Sequence, residues 1–138
     1  MCATVHAQNL ELQLSPSVYN GGYHISCYDG NDGSIDLTVL NGTAPYTFIW
    51  SNEATTEDIS GLSEGYYSVE VRDANDWVGT KAINIIQPRE ISLEIIPVYY
   101  PNGYHISCYG CFNGQASVLV DGGVPPYQYM WSSGHSSA

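Results

Sequence analysis

The sequence predicts an all-β protein made of tandem immunoglobulin-like β-sandwich repeats, the second of them incomplete. Three observations carry that prediction. Short stretches of alternating apolar and polar residues recur with turn clusters every 8–12 residues or so, the spacing of a sandwich. No segment shows the 3.6-residue period of a helix. The heptapeptide Gly22-Tyr23-His24-Ile25-Ser26-Cys27-Tyr28 recurs as Gly103-Tyr104-His105-Ile106-Ser107-Cys108-Tyr109, an offset of 81 residues (Gly22 to Gly103). At the same offset Leu12 falls on Leu93, Pro16 on Pro97, Val39 on Val120, Pro45-Tyr46 on Pro126-Tyr127 and Trp50-Ser51 on Trp131-Ser132. An ungapped match of this kind marks duplication of one structural unit. The predicted organisation is an N-terminal segment over 1–9, a complete repeat over 10–88 and a partial repeat over 89–138.

The first element is a half-buried strand over Asn9–Ser15, where Leu10, Leu12 and Leu14 alternate with Glu11, Gln13 and Ser15. Pro16 ends it, and the heptapeptide loop runs into the turn cluster Asp29–Gly33. Ser34–Val39 is the next strand, with Ile35, Leu37 and Val39 inward. After the turn at Asn41–Pro45, Tyr46–Ser51 places Tyr46, Phe48 and Trp50 on one face. Trp50 is the expected central plug of the core, as in immunoglobulin-like sandwiches. Ala54–Ile59 reads as a short polar strand and Gly61–Gly65 as a turn. Tyr66–Arg72 turns Tyr67, Val69 and Val71 inward, Asp73–Asp76 is a tight turn, and Trp77–Ile86 is the last strand of the unit.

The second unit repeats three strands. Ile91, Leu93 and Ile95 form the first, Ala116, Val118 and Val120 face inward on the second, and Tyr127, Tyr129 and Trp131 form the third, with Trp131 the expected core residue. Ala138 aligns with Glu57, so the positions matching 66–86 lie beyond the sequence. A half-sandwich would leave Val118, Val120, Tyr129 and Trp131 uncovered and its strand edges unpaired.

The 138 residues carry a net charge of −11, with only three basic side chains, Arg72, Lys81 and Arg89. That argues against nucleic acid, because neutralising phosphates takes clustered Lys and Arg. It also argues against an anionic membrane surface. No stretch approaches the roughly 20 apolar residues of a membrane-spanning helix. Cys2–Ala7 resembles the tail of a secretory signal, with Val5 and Ala7 where a signal peptidase accepts small residues, and predicts an exported chain beginning near Gln8.

Cys108-Tyr109-Gly110-Cys111 has no second ligand pair at zinc spacing, and no βαβ context for a thioredoxin-like reading. Cys27, Cys108 and Cys111 are instead the disulfide candidates, within or between chains.

Three segments together resemble the SprB-type repeat: Ile25–Tyr28, Gly30–Ile35, and Gly42–Ser51. Ala54–Leu62, Gly65–Val69 and Asp73–Asn75 add to the resemblance, which covers nearly all of the chain from about Leu10. It implies an immunoglobulin-like unit, export, and a role in the adhesins or extracellular fibres of gliding bacteria, with no catalysis. Similar repeats often carry a second cysteine just after the Asp-Ala-Asn turn, able to bridge to the Cys of Ile-Ser-Cys. Asp76-Trp77 stands there in this chain. The resemblance therefore implies that Cys27 lacks its usual partner.

The run Asp29–Asp36 invites a calcium reading but places Gly33 and Ser34 where an EF-type loop needs a ligand and a glycine. No cofactor or metal is expected. His24 and His105 recur with the repeat and are expected to hydrogen-bond a loop. The twelve tyrosines suit a contact surface, where Tyr is favoured, or sugar stacking. No catalytic constellation is present.

The sequence therefore predicts a non-enzymatic extracellular structural and adhesive protein: a subunit of a surface filament, its own copies as partners, assembled by β-strand complementation. Leu10, Leu12, Leu14, Val118, Val120 and Tyr129 are the inter-subunit contact candidates, with Thr4–Leu14 as donor strand. The alternative is part of a long repeat adhesin that binds a glycan or partner surface.

Overall fold

The computed structural model describes residues 9–137. The readings of Cys2–Ala7 as a signal remnant, and of residues 4–8 as part of a donor strand, lie outside them. The chain is all-β and divides into two compact units between Pro88 and Arg89.

Among the described residues the first unit has six strands: β1 (Leu12–Pro16), β2 (Gly33–Val39), β3 (Thr47–Trp50), β4 (Ile59–Leu62), β5 (Gly65–Arg72) and β6 (Val78–Ile85). They form two antiparallel three-stranded sheets, ordered β1-β2-β4 and β3-β5-β6. The alternation that marks each strand decides which side chains meet between the sheets. Leu12, Ile35, Leu37, Ile59 and Leu62 come from one sheet, and Trp50, Val69, Val71 and Ile85 from the other; Leu10 and Ile25 complete this core. Val39, Tyr67, Phe48, Tyr46 and Leu14 are partly buried against it. Burying each large apolar side chain contributes on the order of 1.5–3 kcal/mol, which a unit this small needs.

Two local features differ from the sequence reading. The strand expected over Ala54–Ile59 lies instead at Ile59–Leu62. Residues before it are drawn into a loop: Trp50 Nε1 donates to Thr56 O (2.9 Å), Thr56 Oγ1 to Asp58 O (2.6 Å), and Leu37 N–H to Asp58 Oδ1 (3.0 Å). Gly61, expected in a turn, is the extra residue of a β-bulge: Gly33 pairs with Leu62 and Ser34 with Ser60. Its φ of +72° is the left-handed conformation that such a bulge asks of glycine.

Gly79 on β6 marks a close approach of β6 to Leu10, just before β1. A Cβ there would lie 2.7 Å from both the Cβ and the carbonyl oxygen of Leu10. Gly79→Ala is therefore expected to destabilise the first unit by about 1–3 kcal/mol through overpacking. A thermal melt with an unchanged midpoint would contradict that packing.

The second unit contains β7 (Ser92–Pro97) and β8 (Ala116–Asp121). Their register repeats that of β1 and β2. Leu93 pairs with Val120, Ile95 with Val118 and Pro97 with Ala116, as Leu12, Leu14 and Pro16 pair with Val39, Leu37 and Ile35. The third strand expected at Tyr127–Trp131 is not formed. In the first unit its counterpart β3 is an edge strand whose ladder runs to β5 alone. Among the described residues the second unit has no β5 counterpart, so the segment has no ladder to join. Among the described residues no helix is long and apolar enough to cross a membrane.

Candidate interaction surface

The loops of the two units are built alike, down to single hydrogen bonds. Tyr19 N–H donates to Tyr23 O at 2.7 Å, and Tyr100 N–H to Tyr104 O at 2.9 Å. The Tyr19 hydroxyl donates to Asp32 O (3.0 Å), the Tyr100 hydroxyl to Asn113 O (2.7 Å). Ser26 N–H donates to Asp32 Oδ1 (3.0 Å), Ser107 N–H to Asn113 Oδ1 (3.2 Å). Ser26 holds the Asp32 carboxyl below its ordinary range; desolvation, then the Asp32 charge, push the Tyr19 hydroxyl up. The two tryptophans repeat as well: Trp131 Nε1 donates to Ser137 O at 2.7 Å, as Trp50 Nε1 does to Thr56 O.

What differs is the cover. Leu12 is 4 % exposed and Leu93 63 %; Leu10 is 5 % and Ile91 53 %; Ile25 is fully buried and Ile106 39 % exposed. Each pair occupies one position of the repeat. In the first unit the sheet β3-β5-β6 packs on these residues. In the second unit Ile91 and Leu93 line an open groove of about 330 Å³ with Ile95, Val118, Tyr129 and Trp131. Val118, Val120, Tyr129 and Trp131, expected to be uncovered, are half-buried. The most open of the groove's large apolar residues are Leu93, Ile95 and Met130. Trp131 is thus a half-exposed groove wall where Trp50 is a core residue.

The contact candidates on β1 require correction. Leu10 and Leu12 are buried in the first unit's own core, and Leu14 packs against it. β1 is already paired along its length with β2. These residues are committed within their own unit, so residues 9–14 cannot serve as a donor strand without dismantling it.

The closed unit holds two polar ties whose distant partners the sequence does not reveal. Asp73, only 5 % exposed, accepts N–H bonds from Asn75 (2.8 Å), Trp77 (2.9 Å) and Thr43 (3.0 Å). It joins the β5–β6 turn to the β2–β3 turn. Burial pushes its carboxyl up, but the N–H donors of Trp77, Thr43 and Asn75 outweigh this and hold it below its ordinary range. An Asp beginning an Asp-Ala-Asn turn signals the local Asx bonds; nothing in the sequence signals the bond to Thr43, thirty positions away. The second tie is His24. Its N–H donates to Ile86 O (2.9 Å), and Ile86 N–H donates to His24 Nδ1 (3.2 Å). The heptapeptide histidine therefore fixes the chain just beyond β6.

Cys108 and Cys111 form a disulfide, and Cys27 is an exposed free thiol. In the first unit Gly30 stands where Cys111 stands in the second. Alkylation of the unreduced chain is expected to label Cys27 and to leave Cys108 and Cys111 untouched until a reductant is added. Label on Cys108 before reduction would contradict the pairing. Among the described residues no cluster of three or more His, Cys, Asp or Glu could hold a metal ion.

Duplicated loops, one closed sandwich and one open sheet define a tandem β-repeat protein with an uncovered apolar face. The SprB repeat model matches residues 25–55 and 106–136, one stretch in each unit and at the same repeat positions, consistent with two copies of that repeat. SprB repeats occur in cell-surface proteins of the adhesin-like repeat kind. No curated protein and no solved structure matches the chain.

Proposed function

We propose that the chain is a non-enzymatic structural and adhesive protein, exported to the cell surface, whose second unit is closed by β-strands supplied from outside residues 89–138. One observation carries this reading: in an unchanged register, residues buried in the first unit are open in the second, at the positions that β3, β5 and β6 cover. An uncovered apolar sheet with free edges associates with other strands in water. When a neighbouring copy supplies those strands, the contact is head-to-tail and does not close, which builds a filament. The purified 138-residue chain is expected to form linear polymers by electron microscopy. A monodisperse monomer at tens of micromolar would overturn the filament.

The unbroken repeat favours a second reading, in which the closing strands belong to the same polypeptide within a longer array. Exposed Tyr104, Tyr109 and Phe112 would then meet a glycan or partner surface. The mass of the native polypeptide separates the two: about 15.1 kDa for the filament subunit, much more for the array.

A further inference from the structure

Resting on the reading that the second unit is closed from outside, we propose that its occupant is a β-hairpin with the chemistry of residues 65–86, and that His105 latches the end of that hairpin. The first unit supplies the template. There β3 pairs with β5 through Phe48–Val71 and Trp50–Val69 on the core side, and Thr47–Arg72 and Ile49–Glu70 on the outer side. The same register places Tyr129 and Trp131 opposite small β-branched residues of an incoming strand. Gln128 and Met130 then oppose its polar positions. The acceptor already leans toward that division: all four residues border the groove, Tyr129 and Trp131 half-buried and Gln128 and Met130 exposed. The groove floor is Leu93, Ile95 and Val118, the counterparts of Leu12, Leu14 and Leu37, which lie against the core that β5 and β6 complete.

The latch follows from the heptapeptide. In the first unit His24 exchanges two hydrogen bonds with the backbone of Ile86, the residue after β6. His105 occupies the same place in the same seven residues, and its ring instead meets Tyr99 edge-on at 4.5 Å. A docked hairpin would bring a backbone N–H and C=O to His105 at the position of Ile86. Alternating small β-branched and polar residues, followed by one more residue with a free N–H, is thus the chemical signature of the partner.

The test uses the full chain and a fluorescent synthetic peptide of residues 63–88, followed by anisotropy. Saturable binding is expected. Val118→Asp puts a charge on the groove floor and should weaken binding more than a hundredfold, while Glu94→Ser, at an exposed β7 position that does not line the groove, should leave it unchanged. His105→Ala should weaken it about five- to tenfold, the effect of one lost hydrogen bond. A peptide with the Ile86 nitrogen methylated should lose the same factor against the unaltered chain and nothing further against His105→Ala. The methylated peptide reads the latch on an unaltered protein, so a folding defect in either variant cannot mimic it. Absence of binding, or binding indifferent to Val118→Asp because the peptide exchanges into the first unit, overturns the occupant. Additive losses from His105→Ala and methylation overturn the latch. Binding without polymers removes the filament alone; polymers that the peptide neither binds nor blocks remove the occupant alone.

Discussion

Trp50→Ala should remove a large share of the first unit's stability, whereas Trp131→Ala should barely change the stability of the unassociated chain. The two tryptophans hold the same repeat position and make the same indole hydrogen bond. Trp50 is 2 % exposed and packs among residues of both sheets. Removing it opens a cavity that the sandwich cannot close, at about 3–5 kcal/mol. A domain of this size holds roughly 4–12 kcal/mol in all, at 0.05–0.15 kcal/mol per residue. Trp131 is half-exposed on a groove wall, so its deletion leaves no enclosed void. Denaturant titration followed by circular dichroism reads both variants. Equal losses would mean that the second unit is closed in the same way as the first.

Acid should loosen the first unit through Asp73, and Asp73→Asn should remove much of that sensitivity. The folded carboxyl sits below its ordinary value of 3.8 because three backbone N–H groups bind its charged form. A depressed carboxyl contributes stability that is fully present above the unfolded value and fades as pH falls through the folded one. The loss therefore begins near pH 4 and deepens below it. Asp32, lowered by Ser26, acts in the same direction at the heptapeptide loop. In the second unit Asn113 makes the corresponding bond and does not titrate. Melts of the two proteins from pH 7 to pH 2 should converge at the acid end. A parent chain whose stability is flat down to pH 2 would contradict the role of Asp73.

Much of the fold was legible because alternation reports burial directly. Ile35, Leu37 and Val39, and Tyr67, Val69 and Val71, face the core side as their period of two requires. The 81-residue offset (Gly22 to Gly103) foretold a shared architecture, and β7 and β8 keep the register of β1 and β2. Alternation cannot say whether a strand has a partner. Tyr127–Trp131 has the pattern of β3 and no β5 to pair with, so it stays irregular. Nor does it say which face a residue serves. Leu10, Leu12 and Leu14 suit a donor strand as well as a core strand, and only the ladder to β2 decides between them. Long-range polar ties were the least legible, because Asp73–Thr43 and His24–Ile86 join turns far apart in the chain.

Hydrogen exchange on the dilute, monomeric chain tests most directly whether one repeat is closed and the other open. Slow exchange is expected in the first unit at Ile35–Val39 and Val69–Val71. Fast exchange is expected throughout Ser92–Pro97 and Ala116–Asp121, slowed when the peptide of residues 63–88 is added. Equal protection of both units in the monomer without peptide would contradict that asymmetry.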